Sequence, residues 1–393
     1  MIIKNKMKKF SVFCLPAVVM AGALLLFASC KKDNTTPDPA PEPTPELPTE
    51  YVDLDANGSA NCYIVSKPGR YQFKPYKGNS KKDVGRVLKA KVLWESFGTA
   101  TAPQPGDIIN NDVQMAYSPF VITFSTPVVL KNGNAVIAAL DENDKILWSW
   151  HIWVCADYDP IAKGQDYFHE AGKMMDRNLG ATSVVPGDVC SLGLMYQWGR
   201  KDPFLGSSSI SSSTTKVAST LAEWPSVDSN DAFGTIDYAI AHPTTFIAKN
   251  SANGDWYYTG GSTTDDDRWK SDKTIYDPCP PGWKIPADVW AEAAASSDPF
   301  DCTNKWDNTN KGANLGWKFG SYDSIWYPAA GALSSLDGSL SSVGKFGYWW
   351  SCNTNGVNAS RLYLYGTSTE VMPVNYNQRG GGHSVRCIQE QVQ

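Results

Sequence analysis

The stretch Lys145–Val154, KILWSWHIWV, alternates by twos: Ile146, Trp148, Trp150, Ile152 and Val154 fall on one side, and Leu147, Ser149, His151 and Trp153 on the other. Successive side chains of a strand point to opposite faces. One face of this strand is therefore wholly apolar and must be covered. Working outward, AVIAAL (Ala135–Leu140) turns into it through Asp141, Glu142, Asn143 and Asp144. FVITFS (Phe120–Ser125), VLKAKVLW (Val87–Trp94), RYQFK (Arg70–Lys74) and NCYIV (Asn61–Val65) read as further strands, rich in the β-branched and aromatic residues that suit a pleated surface. Pro68 and Gly69 suit the two central positions of a type II turn between the last two. The expectation for residues 51–157 is an all-β sandwich of immunoglobulin-like look, whose second sheet covers the apolar face. Cys62 in its first strand and Cys155 at the end of its last are expected to pair across it.

The opposite end of the argument is the N-terminus. Lys4, Lys6, Lys8 and Lys9 precede a run, Phe10–Ala28, without a charge. Cations followed by an apolar segment are the layout of an export signal. Ala28 and Ser29 before Cys30 resemble a bacterial lipobox, with Phe27 in place of the usual Leu. Residues 1–29 are thus expected to be a lipoprotein signal peptide and Cys30 the acylated first residue of the mature chain. Pro37, Pro39, Pro41, Pro43, Pro45 and Pro48, interleaved with Asp38, Glu42 and Glu46, make residues 30–50 a stiff, extended tether. At ~3.1 Å per residue, a tether of about twenty residues reaches roughly 60 Å.

The remaining sequence, 393 residues in all, has room for two or three domains with real cores. The formal charge is −5, and loss of the signal lysines makes the mature chain more acidic. Without basic blocks it is a poor partner for nucleic acid. The 15 Trp and 18 Tyr are high for this length; such a surplus fills cores, and exposed Trp and Tyr also stack on flat ligands. An exported chain sits where disulfides persist, and there is neither a C-x-x-C nor a cysteine-histidine spacing suited to zinc.

Beyond the low-periodicity segment Ala156–Gln165 the texture changes. Gly and Ser rise, a serine-rich surface loop begins at Ser207, and one helix is signalled near Pro286 and Asp288, where Pro suits the first turn and Asp the positive end of the dipole. The segments around that helix read as irregular loops and hairpins. Of Tyr348, Trp349 and Trp350, alternation puts at most one outward.

Six ordered motifs carry a resemblance: MDRNLGA (Met175–Ala181), GLMYQWGRKDPF (Gly193–Phe204), PTTFI (Pro243–Ile247), YDPCPPGWKIP (Tyr276–Pro286), YWWSC (Tyr348–Cys352) and HSVRCI (His383–Ile388). Together they resemble the Fibrobacter succinogenes major paralogous domain, common on lipoproteins of gut Bacteroidetes and related in fold to C-type lectin-like and formylglycine-generating-enzyme domains. The resemblance covers roughly Met175–Glu390 and implies an α+β C-type lectin-like domain over residues 165–390, hence a multidomain chain. It further implies a bridge between Cys279, early in that domain, and Cys387 in its last strand, leaving Cys190, Cys302 and Cys352 unassigned. Cys352 stands where the family has a small polar residue.

Constellations for catalysis are missing: no nucleophile elbow, Walker loop or H-E-x-x-H occurs, and the histidines are His151, His169, His242 and His383. The stretch Asp255–Lys270, DWYYTGGSTTDDDRWK, offers a candidate site instead. Trp256, Tyr257, Tyr258 and Trp269 are residues that stack on a sugar ring, and Asp265, Asp266 and Asp267 are oxygen ligands of the kind calcium takes. Solvation of an acidic turn explains the same aspartates. No other cofactor is expected. The sequence therefore points to an outer-membrane, cell-surface lipoprotein, anchored through its lipid, that binds glycan or a surface protein without catalysis, as an adhesion module or a fimbrial tip or accessory subunit among fimbrial subunits. The alternatives are a polysaccharide hydrolase acting through aspartates of the C-terminal domain, or a structural subunit with no ligand.

Overall fold

The computed structural model describes residues 46–167, 170–258, 260–294, 315–319, 322–366 and 371–391. The signal peptide, Cys30, most of the tether, His169 and Cys302 lie outside the described residues. From the alternating segments at the N-terminal end come eight strands: β1 (Tyr51–Asp53), β2 (Cys62–Val65), β3 (Arg70–Phe73), β4 (Lys89–Ser96), β5 (Gln114–Tyr117), β6 (Phe120–Ser125), β7 (Gly133–Leu140) and β8 (Ile146–Val154). They form two sheets, ordered β1-β3-β6-β5 and β2-β8-β7-β4. The apolar face of β8 is covered as its pattern requires: Trp148, Trp150, Ile152 and Val154 pack with Tyr71 and Phe73 of β3 and Ile122 and Phe124 of β6. Burying each such side chain is worth about 1.5–3 kcal/mol.

Two expectations fail here. Gly69 does not adopt a positive φ; its N–H donates to Thr126 Oγ1 at 3.0 Å and its carbonyl accepts from Thr126 N. Those bonds keep it extended, so the chain passes from β2 in one sheet to β3 in the other, with no type II hairpin turn. Cys62 and Cys155 are free thiols. β2 runs parallel to β8 with Cys62 opposite His151 and Val65 opposite Val154. Cys155 thus lies four residues beyond the position opposite Cys62, roughly 13 Å at the strand rise, beyond the ~7 Å Cα separation a bridge spans.

The other face of β8 is buried too. Ser149, His151 and Trp153 are each covered, and their cover is the C-terminal half of the chain. Cys62, Trp94 and Trp153 share one core with Leu194, Tyr196, Trp198, Trp283 and Trp350. Some of the polar atoms trapped there are paired, whereas His151 Nδ1, Trp153 Nε1 and Tyr196 OH have no hydrogen-bond partner among the described residues. His151 Nε2 meets Asn134 Oδ1 at 2.9 Å, and Asn134 Nδ2 donates to Gly180 O. Ser149 Oγ donates to Asp202 Oδ1 at 2.6 Å, and Lys201 Nζ donates to both.

Among the described residues the protein is mostly β-sheet, with three short α-helices, α1 (Pro160–Lys163), α2 (Ile236–Ala241) and α3 (Val289–Ala294). The helix signalled by Pro286 and Asp288 is α3. The Asp288 carboxylate, however, accepts from Ser351 Oγ, Asn353 Nδ2 and Ser360 Oγ, at 2.6–2.7 Å, and so pins the strands behind the helix. The C-terminal half is organised by a seven-stranded sheet. Its core includes Phe346–Asn355, Asn358–Tyr365 and Val371–Gln378, antiparallel neighbours in that order, with Gly382–Ser384 on the far side of the first. The Cys279–Cys387 disulfide is present and spans 108 positions. Closing a loop of that length is worth ~4.7 kcal/mol on the chain-entropy account.

Candidate functional site

The two strands Phe346–Asn355 and Asn358–Tyr365 repeat with period two in opposite senses on their two faces. Gly347, Trp349, Leu362 and Leu364 are buried, whereas Phe346, Tyr348, Arg361, Tyr363 and Tyr365 are only partly so. The buried set joins Trp317, Tyr327 and Trp290 in a closed core. Gly347 is required on that side, since a Cβ there would run into the rings of Trp349 and Trp317.

On the open side the cross-strand register opposes Phe346 to Tyr365, Tyr348 to Tyr363 and Trp350 to Arg361. Directly opposed side chains are the contacts that stabilise a sheet face. Here they give a run of parallel rings. Phe346 and Tyr365 stack with centroids 4.8 Å apart, Tyr348 and Tyr363 at 5.3 Å with planes 8° apart, and Tyr348 and His383 at 5.0 Å. His383 in turn lies 4.0 Å from the Trp350 ring. The run thus descends from half-exposed Phe346 and Tyr365 to buried His383 and Trp350.

One charged side chain is threaded through it. The Arg361 guanidinium sits 4.3 Å from the Tyr348 centroid and 5.6 Å from that of Tyr363, within cation–π range. Its Nε donates to Asn375 Oδ1 at 2.9 Å and its Nη1 to His383 Nε2 at 3.2 Å. A guanidinium only donates, so His383 Nε2 is an acceptor and the ring proton is on Nδ1, which is buried without a partner. Burial, then the neighbouring Arg361 charge, hold His383 well below the usual imidazole range. It is neutral at physiological pH. Burial also lowers Arg361 to about 10, offset in part by the two tyrosines, so the guanidinium keeps its charge. No carboxylate lies within ion-pair distance of it among the described residues. The β-pairing shifts register between Arg361 and Tyr363, where Pro373 of the neighbouring strand has no N–H to give the ladder. Such irregularities re-aim side chains, and this one sets Asn375 opposite Arg361.

The loop singled out in the sequence is built differently. Trp256 and Trp269 are buried, 1% exposed each, with their indole N–H groups donating to Trp198 O and Tyr276 O. They are core and offer no stacking surface. Tyr257 and Tyr258 are partly buried. The rings of Trp256, Tyr257 and Trp198 surround Arg268, at 4.7, 5.1 and 5.1 Å, and Arg268 is paired through both terminal nitrogens with fully buried Asp255. The three expected calcium ligands have separate partners: Asp265 Oδ1 accepts from Asp267 N, Asp266 pairs with Arg379, and Asp267 pairs with Lys270. Among the described residues no group of three or more His, Cys, Asp or Glu is placed to hold a metal ion.

Aspartates elsewhere in the C-terminal half are similarly engaged. Asp277 accepts from the N–H groups of Cys279 and Ile285, and Asp288 from the three side chains named above. A cleft of 440 Å³ lies between Phe204, Trp224 and Phe246, with Lys216 and Asp337 on its wall. Lys216 Nζ there donates to Gly338 O, and Asp337 accepts from Ser339. The aromatic face thus holds a partly buried guanidinium with no carboxylate within ion-pair distance among the described residues.

Sequence reasoning placed Tyr348, Trp349 and Trp350 in the core with at most one of them outward; both tryptophans are buried and Tyr348 is partly open. It passed over Arg361, Tyr363 and Tyr365, although R-L-Y-L-Y carries the same period of two as β8. A scan against protein-family models, a search of curated proteins and a search of solved structures found no match to this chain.

Proposed function

We propose that the chain is a lipid-anchored protein of the outer membrane that binds glycan at the cell surface without catalysis, using the open aromatic face around Tyr348, Tyr363 and Tyr365. The single observation that carries this reading is the alternation on two adjacent strands, which buries one row of apolar residues and leaves the opposing row of aromatic rings part-open and mutually parallel. Rings stacked on one another in this way turn apolar edges and phenol hydroxyls toward a ligand, and their ordering is already met by the sheet, so little entropy is lost on binding. In this reading the N-terminal half is an immunoglobulin-like sandwich, the C-terminal half is a lectin-like domain of the Fibrobacter succinogenes major paralogous type, and the tether from Cys30 sets them off from the lipid. Placement at the tip of a fimbria suits such a binder.

Glycan-array binding by the full-length protein tests the proposal. The expected result is retention of a subset of glycans, weakened by Tyr348→Ala and by Tyr363→Ala and unchanged by Tyr117→Ala on the distant β5. Binding that ignores both face substitutions, or no binding to any glycan, contradicts it.

A further inference from the structure

We infer that the aromatic face selects sugars carrying an anionic substituent, a carboxylate or a sulfate, with Arg361 supplying the counter-charge. The inference rests on the face being the ligand site. It starts from an imbalance. Elsewhere in the interior Lys201 meets Asp202, Arg268 meets Asp255 and Lys273 meets Asp277, while Arg200 and Arg386, with no acid within ion-pair distance among the described residues, are sealed from solvent against amide and backbone oxygens. A guanidinium removed from water is costly unless an opposite charge or a full set of acceptors replaces its hydration. Arg361 receives two neutral acceptors, Asn375 Oδ1 and His383 Nε2, and two ring faces, but no acid among the described residues.

The surroundings keep it that way. His383 does not contribute a carboxylate-like acceptor, and its lowered proton affinity also prevents it from adding a second positive charge. Tyr348 is held above the usual phenol range by burial, so it supplies no phenolate. The guanidinium is therefore a fixed, oriented cation on a residue that is only partly buried, framed by the rings of Tyr348 and Tyr363. Arg is the side chain that matches planar carboxylate and tetrahedral sulfate through paired N–H donors. Neutral sugars can use the rings, but only an anionic one settles the charge. Asn375 and His383 act as positioning residues, holding Nε and Nη1 so that the fork keeps one direction.

The test is calorimetric titration of the full-length wild-type protein with three probes of matched length: oligogalacturonate, the same oligosaccharide with its carboxyls reduced to hydroxymethyl groups, and a sulfated oligogalactose. The expected result is at least tenfold tighter binding of one or both acidic probes than of the carboxyl-reduced one, a preference that shrinks as salt rises from 50 to 500 mM. Tighter binding of the carboxylated or of the sulfated probe supports the inference and says which anion is used. Arg361→Gln should erase the preference, bringing the acidic probes down to the level of the carboxyl-reduced one, and Arg361→Lys should retain part of it, because the charge survives and the fork does not. Equal binding of the acidic and the reduced probes overturns the inference and leaves the glycan-binding proposal standing. Failure of all three probes, when glycans on the array are retained through the same face, also overturns it. If no glycan binds at all, both fall. The wild-type comparison of native and reduced ligand does not depend on whether any variant folds.

Discussion

Two arginines of this chain sit in nests of aromatic rings, and they have different fates. Arg268 is enclosed by Trp198, Trp256 and Tyr257 and meets Asp255, both side chains being fully buried. Arg361 lies between Tyr348 and Tyr363 on an open sheet face, with Asn375 and His383 as its acceptors. The first nest carries its counter-charge inside the chain, and the second leaves it to be supplied. The lesson is that aromatic residues around a cation do not by themselves mark a binding site; what marks one is a charge left without a partner where solvent can reach it.

The largest effect expected from this contrast is on the closed nest. Asp255→Asn strands the buried Arg268 charge, and removing one partner of a buried pair costs about 3–5 kcal/mol. Urea unfolding should show a loss of that size, whereas a change below about 1 kcal/mol would break the contrast from the Arg268 side. Next is the disulfide, which ties the segment after the closed nest to the strand end after His383. Replacing Cys279 and Cys387 together by serine should cost about 2–4 kcal/mol, read as a lowered midpoint in the same experiment, and an unchanged midpoint would show that the link adds nothing.

Smaller is the pH effect. His151 is lowered to about 3 by burial, and His383 is also held low. Each is neutral in the folded chain but takes a proton near pH 6.5 when unfolded. Their contribution is therefore fully present above about pH 6.5 and is lost as pH falls below it. The loss is on the order of 1 kcal/mol per pH unit for each histidine. His383→Gln should flatten the fall between pH 6.5 and 5 relative to the native chain; an equal slope in both would mean that His383 titrates normally. The smallest effect expected is that of Tyr365→Phe, which keeps the ring and removes a hydroxyl: stability and glycan binding should each stay within about 0.5 kcal/mol, the range of substitutions away from buried features.

How much of this was legible in the sequence follows the same divide between local and long-range causes. The apolar face of β8 could be read because period-two alternation is a local consequence of strand geometry. Its other face could be read only in part. His151, inside the strand, reads as a packing histidine and is one, held by Asn134, but nothing local signals that Asp202 and Lys201, some fifty positions on, fold over Ser149. Trp256 and Trp269 looked available for stacking for the same reason, since nothing near them in sequence reveals that Trp198 O and Tyr276 O take their indole protons. The Cys62–Cys155 pairing failed on register, which depends on β2 lying parallel to β8. The alternation in Arg361–Tyr365 was available to the same reading that found β8; the Gly and Ser around it drew that segment toward loops. That Arg361 meets no acid among the described residues is a property of the folded surroundings and has no local signature.

The most direct measurement is a side-by-side urea unfolding of Arg268→Met and Arg361→Met, two substitutions of one kind in the two nests. The account predicts that Arg268→Met, which leaves Asp255 buried and alone, loses about 3–5 kcal/mol, while Arg361→Met, which removes a cation that has no acid, stays within about 1 kcal/mol of the native chain. Equal losses in the two variants would make Arg361 a structural cation like Arg268 and contradict the account.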